Sequence, residues 1–316
     1  MQVTVVIVNW NSGGLLKRCL MHLAAQTHKP DRILVLDNAS TDNLVAGLNE
    51  FEVEFVQNEK NIGFAAANNL AVETVYSEYV VLLNPDAFPE PAWLESLLRA
   101  AENRQDFAAF GSRQLHEQSP DILDGVGDSY HLSGLPRRYR HGERQSASDL
   151  IEKEVFSACA AAVLYRIHAL KEVGGFDENF FCYGEDIDLG FRLRLAGYKT
   201  LYVPDAVVMH VGSASTGGQH SDFAVYHGHR NLVWTYFKNM PGFLLWLFLP
   251  MHLVLNLVSL VHFSLRGQAG IIFKAKWHAL LKLPRALRQR REIQVQRIAS
   301  VWDIWRVLDR RFLPLR

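Results

Sequence analysis

Tyr79-Val80-Val81-Leu82-Leu83-Asn84-Pro85-Asp86 is an apolar run that stops on a carboxylate. A strand with no polar position is buried on both faces, as in a parallel sheet covered by helices. Pro85 fixes a turn and removes a hydrogen-bond donor, which suits a sheet that ends there. A carboxylate in that place can hold a divalent cation against two phosphates, because Mg2+ is satisfied by one or two protein carboxylates plus phosphate and water oxygens. The competing role for Asp86 is to cap the next helix.

Upstream the pattern repeats. Val3–Val8 is a continuous β-branched strand, and residues 13–26 carry helical spacing through Leu15, Leu16, Cys19, Leu20 and Leu23. A strand at 32–36, a short helix at 41–50, a strand at 53–56 and a helix at 64–76 follow. Strands alternating with helices of this length predict an α/β fold with a twisted, mostly parallel sheet and helices on both faces. Ligands of such sheets gather outside the carboxyl ends of the strands. Asn9 and Asn11, Asp37-Asn38-Ala39-Ser40-Thr41-Asp42, residues 58–63, and Asn84-Pro85-Asp86 occupy four such ends. Each alone is an ordinary turn or cap; four in register on one edge predict a binding site.

Downstream, Pro89-Glu90-Pro91 opens a helix ending near Asn103, and a strand is expected at 107–111. Residues 111–149 are rich in Gly, Ser, Pro and charge around Arg137-Arg138-Tyr139-Arg140-His141, and are expected to form a long mobile insertion: a solvated loop, or a lid that brings cations to a diphosphate. Glu185, Asp186 and Asp188 then enter a helix ending at Gly197. Acids in a first turn complement the helix dipole, but three exceed that need. A base for a hydroxyl must be ionised and within about 3 Å of the proton it takes; Asp186 is the first candidate and Glu185 the second, with Asp188 expected to pair with Arg192 at i+4. His210 ends a short strand before a loop of glycine and serines, where a histidine is more often a hydrogen-bonded core residue than a ligand. Arg230, in an expected helix at 226–240, can grip phosphate bidentately.

The 316 residues, 49% of them hydrophobic and 21% charged with zero net charge, describe a globular chain that is neither disordered nor, as a whole, a nucleic-acid binder. Three cysteines without paired spacing indicate a reducing compartment, and the N-terminus enters a strand with no basic or long apolar leader, so a cytoplasmic catalytic body is expected. Charge is uneven: residues 266–316 hold thirteen basic residues against three acids, leaving the remainder ten negative.

These motifs resemble the family 2 glycosyltransferases of the GT-A fold, in particular the bacterial branch that contains rhamnosyltransferases for cell-wall and O-antigen polymers. The resemblance is carried by Val5–Asn11, Val35–Asp42, Asn61–Asn68, Leu82–Asp86, Gly174-Gly175-Phe176-Asp177 and Tyr183-Gly184-Glu185-Asp186-Ile187-Asp188. It implies an inverting transfer from a nucleoside-diphosphate sugar, dTDP- or UDP-linked, with Mg2+ or Mn2+ stabilising the leaving diphosphate. It also implies a saccharide or polyprenyl-linked saccharide acceptor. By position, Asn9, Asn11, Asp37, Asn38, Asn61, Gly63, Asn68 and Asn84 would serve the donor, beside Arg230. Asp86 and His210 would serve the metal, and Asp186, seconded by Glu185, the proton transfer. The family's usual Asp-x-Asp is here Asn84-Pro85-Asp86, which keeps only the last carboxylate.

A catalytic domain is expected over 1–240, divided at 110 into nucleotide and acceptor halves, with a hydrophobic and basic helical region at 241–316. Residues 243–265 carry no charge and are long enough to span a bilayer. Pro250 interrupts them, and His252, Asn256, Ser259 and His262 share a stripe, which favours an interfacial segment. Nucleotide sugars are cytosolic and the basic tail belongs on the same side, so one crossing would separate them. Peripheral attachment to the inner membrane face through 243–297 is therefore expected, with Trp277, Leu280, Leu281, Leu283 and Leu287 in the headgroups; the alternative is a buried helical subdomain or an oligomer interface. The first strand is not followed by the Gly-x-Gly-x-x-Gly of a Rossmann dehydrogenase, and no basic glycine-rich loop offers a nucleotidyltransferase site. A catalytically silent sugar-nucleotide-binding protein or scaffold at the membrane is the other reading, opposed by the joint presence of Asp86 and Asp186.

Overall fold

The computed structural model describes residues 1–42, 48–212, 218 and 220–311. Its strands are β1 (Val3–Asn9), β2 (Arg32–Asp37), β3 (Glu54–Gln57), β4 (Tyr79–Leu83), β5 (Ala87–Pro89), β6 (Phe107–His116), β7 (Ser119–Gly125), β8 (Asp128–Tyr130), β9 (Pro136–Arg138), β10 (Lys153–Val155), β11 (Ala162–Arg166) and β12 (Lys199–His210). Ten of them form one sheet, in the order β10-β12-β6-β11-β4-β1-β2-β3, with β5 on β12 and β7 on β6. β4, β1, β2 and β3 run parallel, as the alternating sequence predicts, while β11 inserts antiparallel between β4 and β6.

The apolar runs explain the layering. Val3, Val5 and Ile7 of β1 join one core with α1 (Gly14–Ala24), and Val6 and Val8 join another with α2 (Phe64–Glu73), so both faces of the strand leave water. α3 (Trp93–Glu102) covers the first face, whereas α4 (Ile167–Glu172) and α5 (Glu185–Leu195) cover the second. Half of the expected 41–50 helix, residues 43–47, lies outside the described residues; within the rest, Leu48–Glu50 is one 3-10 turn.

The region 111–149 departs from expectation. β6 runs on to His116, crossing the expected boundary at 110, and β7, β8 and β9 follow, with Leu123, Asp124, Val126, Asp128 and Tyr130 buried. Its charges enter the interior because they neutralise one another, Arg138 Nη1 lying 2.6 Å from Asp124 Oδ2. The sheet thus passes without a break through both expected halves.

The C-terminal helices pack on the body through α6 (Asp222–Asn239). α7 (Leu244–Leu265), α8 (Ala269–Leu281), α9 (Leu283–Val295) and α10 (Val301–Val307) follow it. α7 is continuous through Pro250, and its His252 and Ser259 face inward, where the His252 ring stacks on Tyr236 at 4.0 Å. His252 and Ser259 thus belong to a packing face, while His262 of the same stripe is exposed. The opposite face exposes Leu247, Leu253, Val254, Leu257, Val258 and Val261, beside Trp277, Leu280, Leu281 and Leu287. Leu283 is packed inward against α6 rather than presented with them.

Candidate functional site

One cleft of about 950 Å3 opens at the carboxyl edge of the sheet, and both acidic segments line it: Asp86 from the turn after β4, Glu185 and Asp186 from the segment after residue 184. The local fold explains each placement. Asn84 accepts from the Ala87 N–H at 3.1 Å, closing a turn around Pro85, and β5 then pairs with β12 so that Ala87 stands opposite His210. That register brings His210 Nε2 to 3.3 Å from Asp86 Oδ1. The residues after Asp86 therefore form a strand, which removes the helix-cap alternative.

On the other side of its ring, His210 Nδ1 lies 2.7 Å from Asp124 Oδ2. Burial works against the ionised Asp124, but Arg138, His141 and His210 outweigh it and hold its carboxyl far below the usual range. A carboxylate can only accept, so Nδ1 is the donor and the neutral ring keeps its lone pair on Nε2. Nε2 is buried without a hydrogen-bond partner among the described residues, facing the carboxylate of Asp86. An imidazole oriented by a carboxylate and aimed beside a second carboxylate is a metal-ligand arrangement. The two donors fit a divalent cation completed by phosphate and water oxygens; among the described residues no third His, Cys, Asp or Glu joins them. Without a cation, burial lowers the pKa of His210, but Asp124 and Asp86 overcome this and push it up to about 9.

At the other acidic segment, Gly184 caps α5 in a left-handed conformation and starts the helix at the acidic pair. Glu185 is buried, and burial together with the charge of Asp186 pushes its carboxyl up to about 8. Asp186 is partly open to the cleft; burial raises its pKa, opposed by the Ile187 N–H that donates to it at 2.8 Å. Asp128 joins the group, pushed up to about 8 by burial and by Asp186, and accepts from Ser157 Oγ at 3.2 Å. Arg138 carries the charge that holds this cluster of carboxylates together.

Asn38, Asn61, Gly63 and Asn84 line the cleft, joined by Trp10, His116, Arg137 and Arg138. Asn38 donates to Asn61 Oδ1 at 2.9 Å and accepts from the Ile62 N–H at 3.1 Å, which shapes the loop at 58–63. Gly63, at φ +87°, packs so closely on Phe181 that an added Cβ would come within 2.5 Å of that ring. Asn9, Asn11, Asp37 and Asn68 are not on the described lining. Asn9 Nδ2 is 2.7 Å from Asp37 Oδ1, and both brace Ser40; Asn11 accepts from the Thr41 N–H, and Asn68 from within α2 donates to the Phe64 carbonyl. Arg230 is a correction: its guanidinium donates to the carbonyls of Asn179 and Phe180 at 3.0 and 2.8 Å, a structural clamp outside the cleft. The serines expected to open the loop after His210 lie outside the described residues.

Asp124 and Asp128 are not marked by the sequence, since the segment holding them has the composition of a loop, and Arg138 is marked there only as part of a cationic stretch. The signal that could have found them is the cluster of like and unlike charges around Arg137-Arg138.

The glycosyl transferase family 2 profile matches residues 4–174. The N-acetylglucosaminyl-diphospho-decaprenol L-rhamnosyltransferase of Mycobacterium tuberculosis is 30% identical over 236 residues, covering 67% of this chain and 77% of that one. The O-antigen chain rhamnosyltransferase RfbN of Salmonella typhimurium is 26% identical over 215 residues, covering 66% of each. Among solved structures, the mannosyltransferase PcManGT of Pyrobaculum calidifontis, in complex with GDP-Man and Mn2+, aligns with a TM-score of 0.55 at 15% identity over 96% of this chain and 87% of its own. GalNAc-T7, with UDP, GalNAc and Mn2+, gives 0.57 at 17% identity over 66% of this chain, which spans 43% of that longer one. The sheet order, the cleft at its carboxyl edge and these likenesses agree on the GT-A fold. The profile covers more than half the chain and the mycobacterial relative aligns along most of its length, so the chain belongs to glycosyl transferase family 2.

Proposed function

We propose that this protein is an inverting, divalent-metal-dependent rhamnosyltransferase of cell-surface polysaccharide synthesis. It would transfer from dTDP-rhamnose to a saccharide carried on a polyprenyl diphosphate. The observation that carries the reading is the meeting of Asp86, His210 and Asp186 in one cleft. Asn38, Asn61 and Asn84 bind the nucleotide end, and Asp86 with His210 holds the cation against the diphosphate. A bound divalent cation supplies charge stabilisation for the departing nucleoside diphosphate. Asp186 takes the acceptor hydroxyl proton as that oxygen attacks the anomeric carbon from the side opposite the diphosphate. Mn2+ suits the site better than Mg2+, since one of the two protein donors is an imidazole nitrogen.

Titrating dTDP-, UDP- and GDP-sugars with Mn2+ or Mg2+ tests the reading, with nucleoside-diphosphate release as the signal. Saturable release from dTDP-rhamnose that depends on metal is expected; release without metal, or from none of the donors, sinks it. Asp86→Ala should weaken metal-dependent dTDP binding about 10–100-fold, the usual cost of disturbing a metal site, measured by calorimetry. Unchanged affinity would remove Asp86 from the metal.

The exposed apolar face of α7 and α8 and the exposed Lys274, Lys282, Arg288 and Arg291 support attachment to the inner membrane face. α7 is long and apolar enough to cross a bilayer by length and composition, but its inward stripe is occupied by protein contacts. Each basic residue near an anionic surface is worth about 1 kcal/mol, screened by salt. The full chain should cosediment with phosphatidylglycerol vesicles, and Trp277→Glu combined with Leu281→Glu should cut binding at least about tenfold, from the apolar area lost. Equal sedimentation of the double variant would move the contact elsewhere.

A further inference from the structure

Between the Asn61–Gly63 loop and the acidic pair, the chain makes an uncommon excursion. Phe181 and Tyr183 both sit at positive φ, +65° and +68°, followed by Gly184 at +79°. Bulky residues adopt this conformation at a cost of about 1–3 kcal/mol each, and such strain persists only where its surroundings enforce it. The enforcing group is Asn231 of α6, fully buried, whose Nδ2 lies 3.0, 3.0 and 2.8 Å from the carbonyls of Phe180, Cys182 and Tyr183. Arg230 adds its clamp on Asn179 and Phe180, and Gly63 offers the Phe181 ring a seat no larger residue would leave.

This strain puts aromatic rings into the cleft. Phe181, Tyr183 and Phe223 all line it and remain half-buried. Phe223 meets Tyr183 at 6.0 Å and Phe181 at 6.1 Å, and the His227 ring stacks under Phe181 at 5.3 Å and 24°. Burial and the charge of Arg230 push His227 down to about 4, so the cluster carries no charge at neutral pH. Two residues separate Tyr183 from Asp186, and Gly63 ties the Phe181 ring to the donor loop. A molecule resting on this surface lies between the donor site and the base.

We propose that Phe181, Tyr183 and Phe223 form the platform that binds the acceptor, a pyranose that lays its apolar C–H face on the rings and turns its hydroxyl edge to Asp186. A pyranose has one face of C–H groups and a rim of hydroxyls, and an aromatic surface beside a carboxylate complements both. Asn231 is a positioning residue: it touches no ligand and acts by holding the platform. The assignment rests on the glycosyltransferase reading of the same cleft.

The test uses the full chain in detergent with dTDP and Mn2+. The probe is N-acetylglucosaminyl diphosphate carrying a farnesyl tail, and the readout is saturation-transfer NMR with irradiation of the protein's aromatic protons. Saturation should reach the C–H protons of the pyranose in wild type. Phe223→Leu and Tyr183→Leu should reduce that transfer and raise the Kd of the probe about three- to tenfold, the value of an aromatic contact, whereas Phe223→Tyr should stay near wild type. Asn231→Ala should weaken probe binding while leaving dTDP affinity intact, and Asn231→Asp, which cannot donate to the carbonyls, should not rescue it. Intact dTDP binding with no probe binding, or with probe signals indifferent to residues 183 and 223, overturns the platform. Loss of dTDP binding by the wild-type chain would instead overturn the glycosyltransferase reading beneath it.

Discussion

Asp186→Asn should lower turnover about 10²–10⁴-fold, the range a general base contributes, while affinity for dTDP and Mn2+ stays within about threefold of wild type, since the proposed metal ligands Asp86 and His210 stand on other elements. Of the three carboxyls of this cluster, Asp186 alone suits the role. Glu185 is buried, its Oε2 has no partner among the described residues, and a pKa near 8 keeps it protonated at neutral pH. Asp128, likewise pushed up to about 8, is buried and engaged by Ser157. Asp186 opens on the cleft and accepts from two backbone N–H groups, of Ile187 at 2.8 Å and Ala160 at 3.4 Å, which keep its carboxylate pointed and favour its ionised form. A base works only when deprotonated, so the rate falls as pH drops through its pKa. Burial raises that pKa, which places the acidic limb of kcat/KM above the ordinary carboxylate range near about 4. Asp186→Asn should remove the limb along with the rate, and Glu185→Gln, replacing a neutral acid by a neutral amide, should cost far less. Initial rates of dTDP release across pH 4–9 decide the matter: wild-type turnover in Asp186→Asn, or collapse in Asp128→Asn with Asp186→Asn intact, reassigns the base.

The parts of this site that were legible in the sequence are those fixed by local pattern. β1 and β4 declare themselves because a strand buried on both faces has no room for a polar residue, and Asn84-Pro85-Asp86 shows itself as the abrupt end of such a strand. Asp188 and Arg192 pair at i+4 as spacing dictates, 2.8 Å apart. What local pattern cannot reveal is a charge whose partner lies far along the chain. Asp124 is held by His210, 86 residues away, and only the pairing of β7 with β6 and of β6 with β12 brings them together. Taken alone, the segment 111–149 has the composition of a solvated loop; Asp124 pairs with Arg138 inside it, but its burial is completed by His210 and by packing of Leu123 and Val126 with Val155 and Tyr202, all outside the segment. Arg230 misled for a related reason. A guanidinium is as well suited to two carbonyls as to a phosphate, and its neighbour Asn231, an amide leading into Leu232-Val233-Trp234, was the stronger sign of a buried polar anchor.

The same logic of distant partners governs the helix that carries the acidic pair. Lys238 of α6 is almost fully buried, and its Nζ lies 2.8 Å from both Asp177 Oδ2 and Asp188 Oδ1. It joins the Gly174-Gly175-Phe176-Asp177 turn to the first turn of α5, two residues past Asp186. Arg285 and Gln289 of α9 reach the same Asp177 carboxylate at 2.8 and 3.0 Å, so α9 is tied through Asp177 and Lys238 to α5. Lys238→Met keeps most of the side-chain volume and removes the charge. Losing one partner of a buried ion pair costs about 3–5 kcal/mol, and the low end is expected because Asp188 keeps Arg192 and Asn239 while Asp177 keeps Arg285. Thermal unfolding should move down by about 5–10 °C. Its pH dependence should change too. Burial disfavours the ionised Asp177, yet Lys238 and Arg285 outweigh it and hold the carboxyl well below its unfolded value near about 3.9. A depressed native pKa contributes stability that is full above the unfolded pKa and is lost as pH falls below it. With Lys238 gone that depression shrinks, so the variant should lose less stability than wild type between about pH 5 and pH 3, and Asp188→Asn added to Lys238→Met should deepen the deficit rather than relieve it, because Asp188 still pairs with the buried Arg192 and its loss would strand that guanidinium. Melting curves of the two variants and wild type at pH 7 and pH 4 measure all three expectations. A Lys238→Met protein that melts with wild type at both values would show that α5 is held by its apolar face alone, through Leu189, Phe191 and Leu193, and that the charge bridge beside Asp186 contributes nothing to its position.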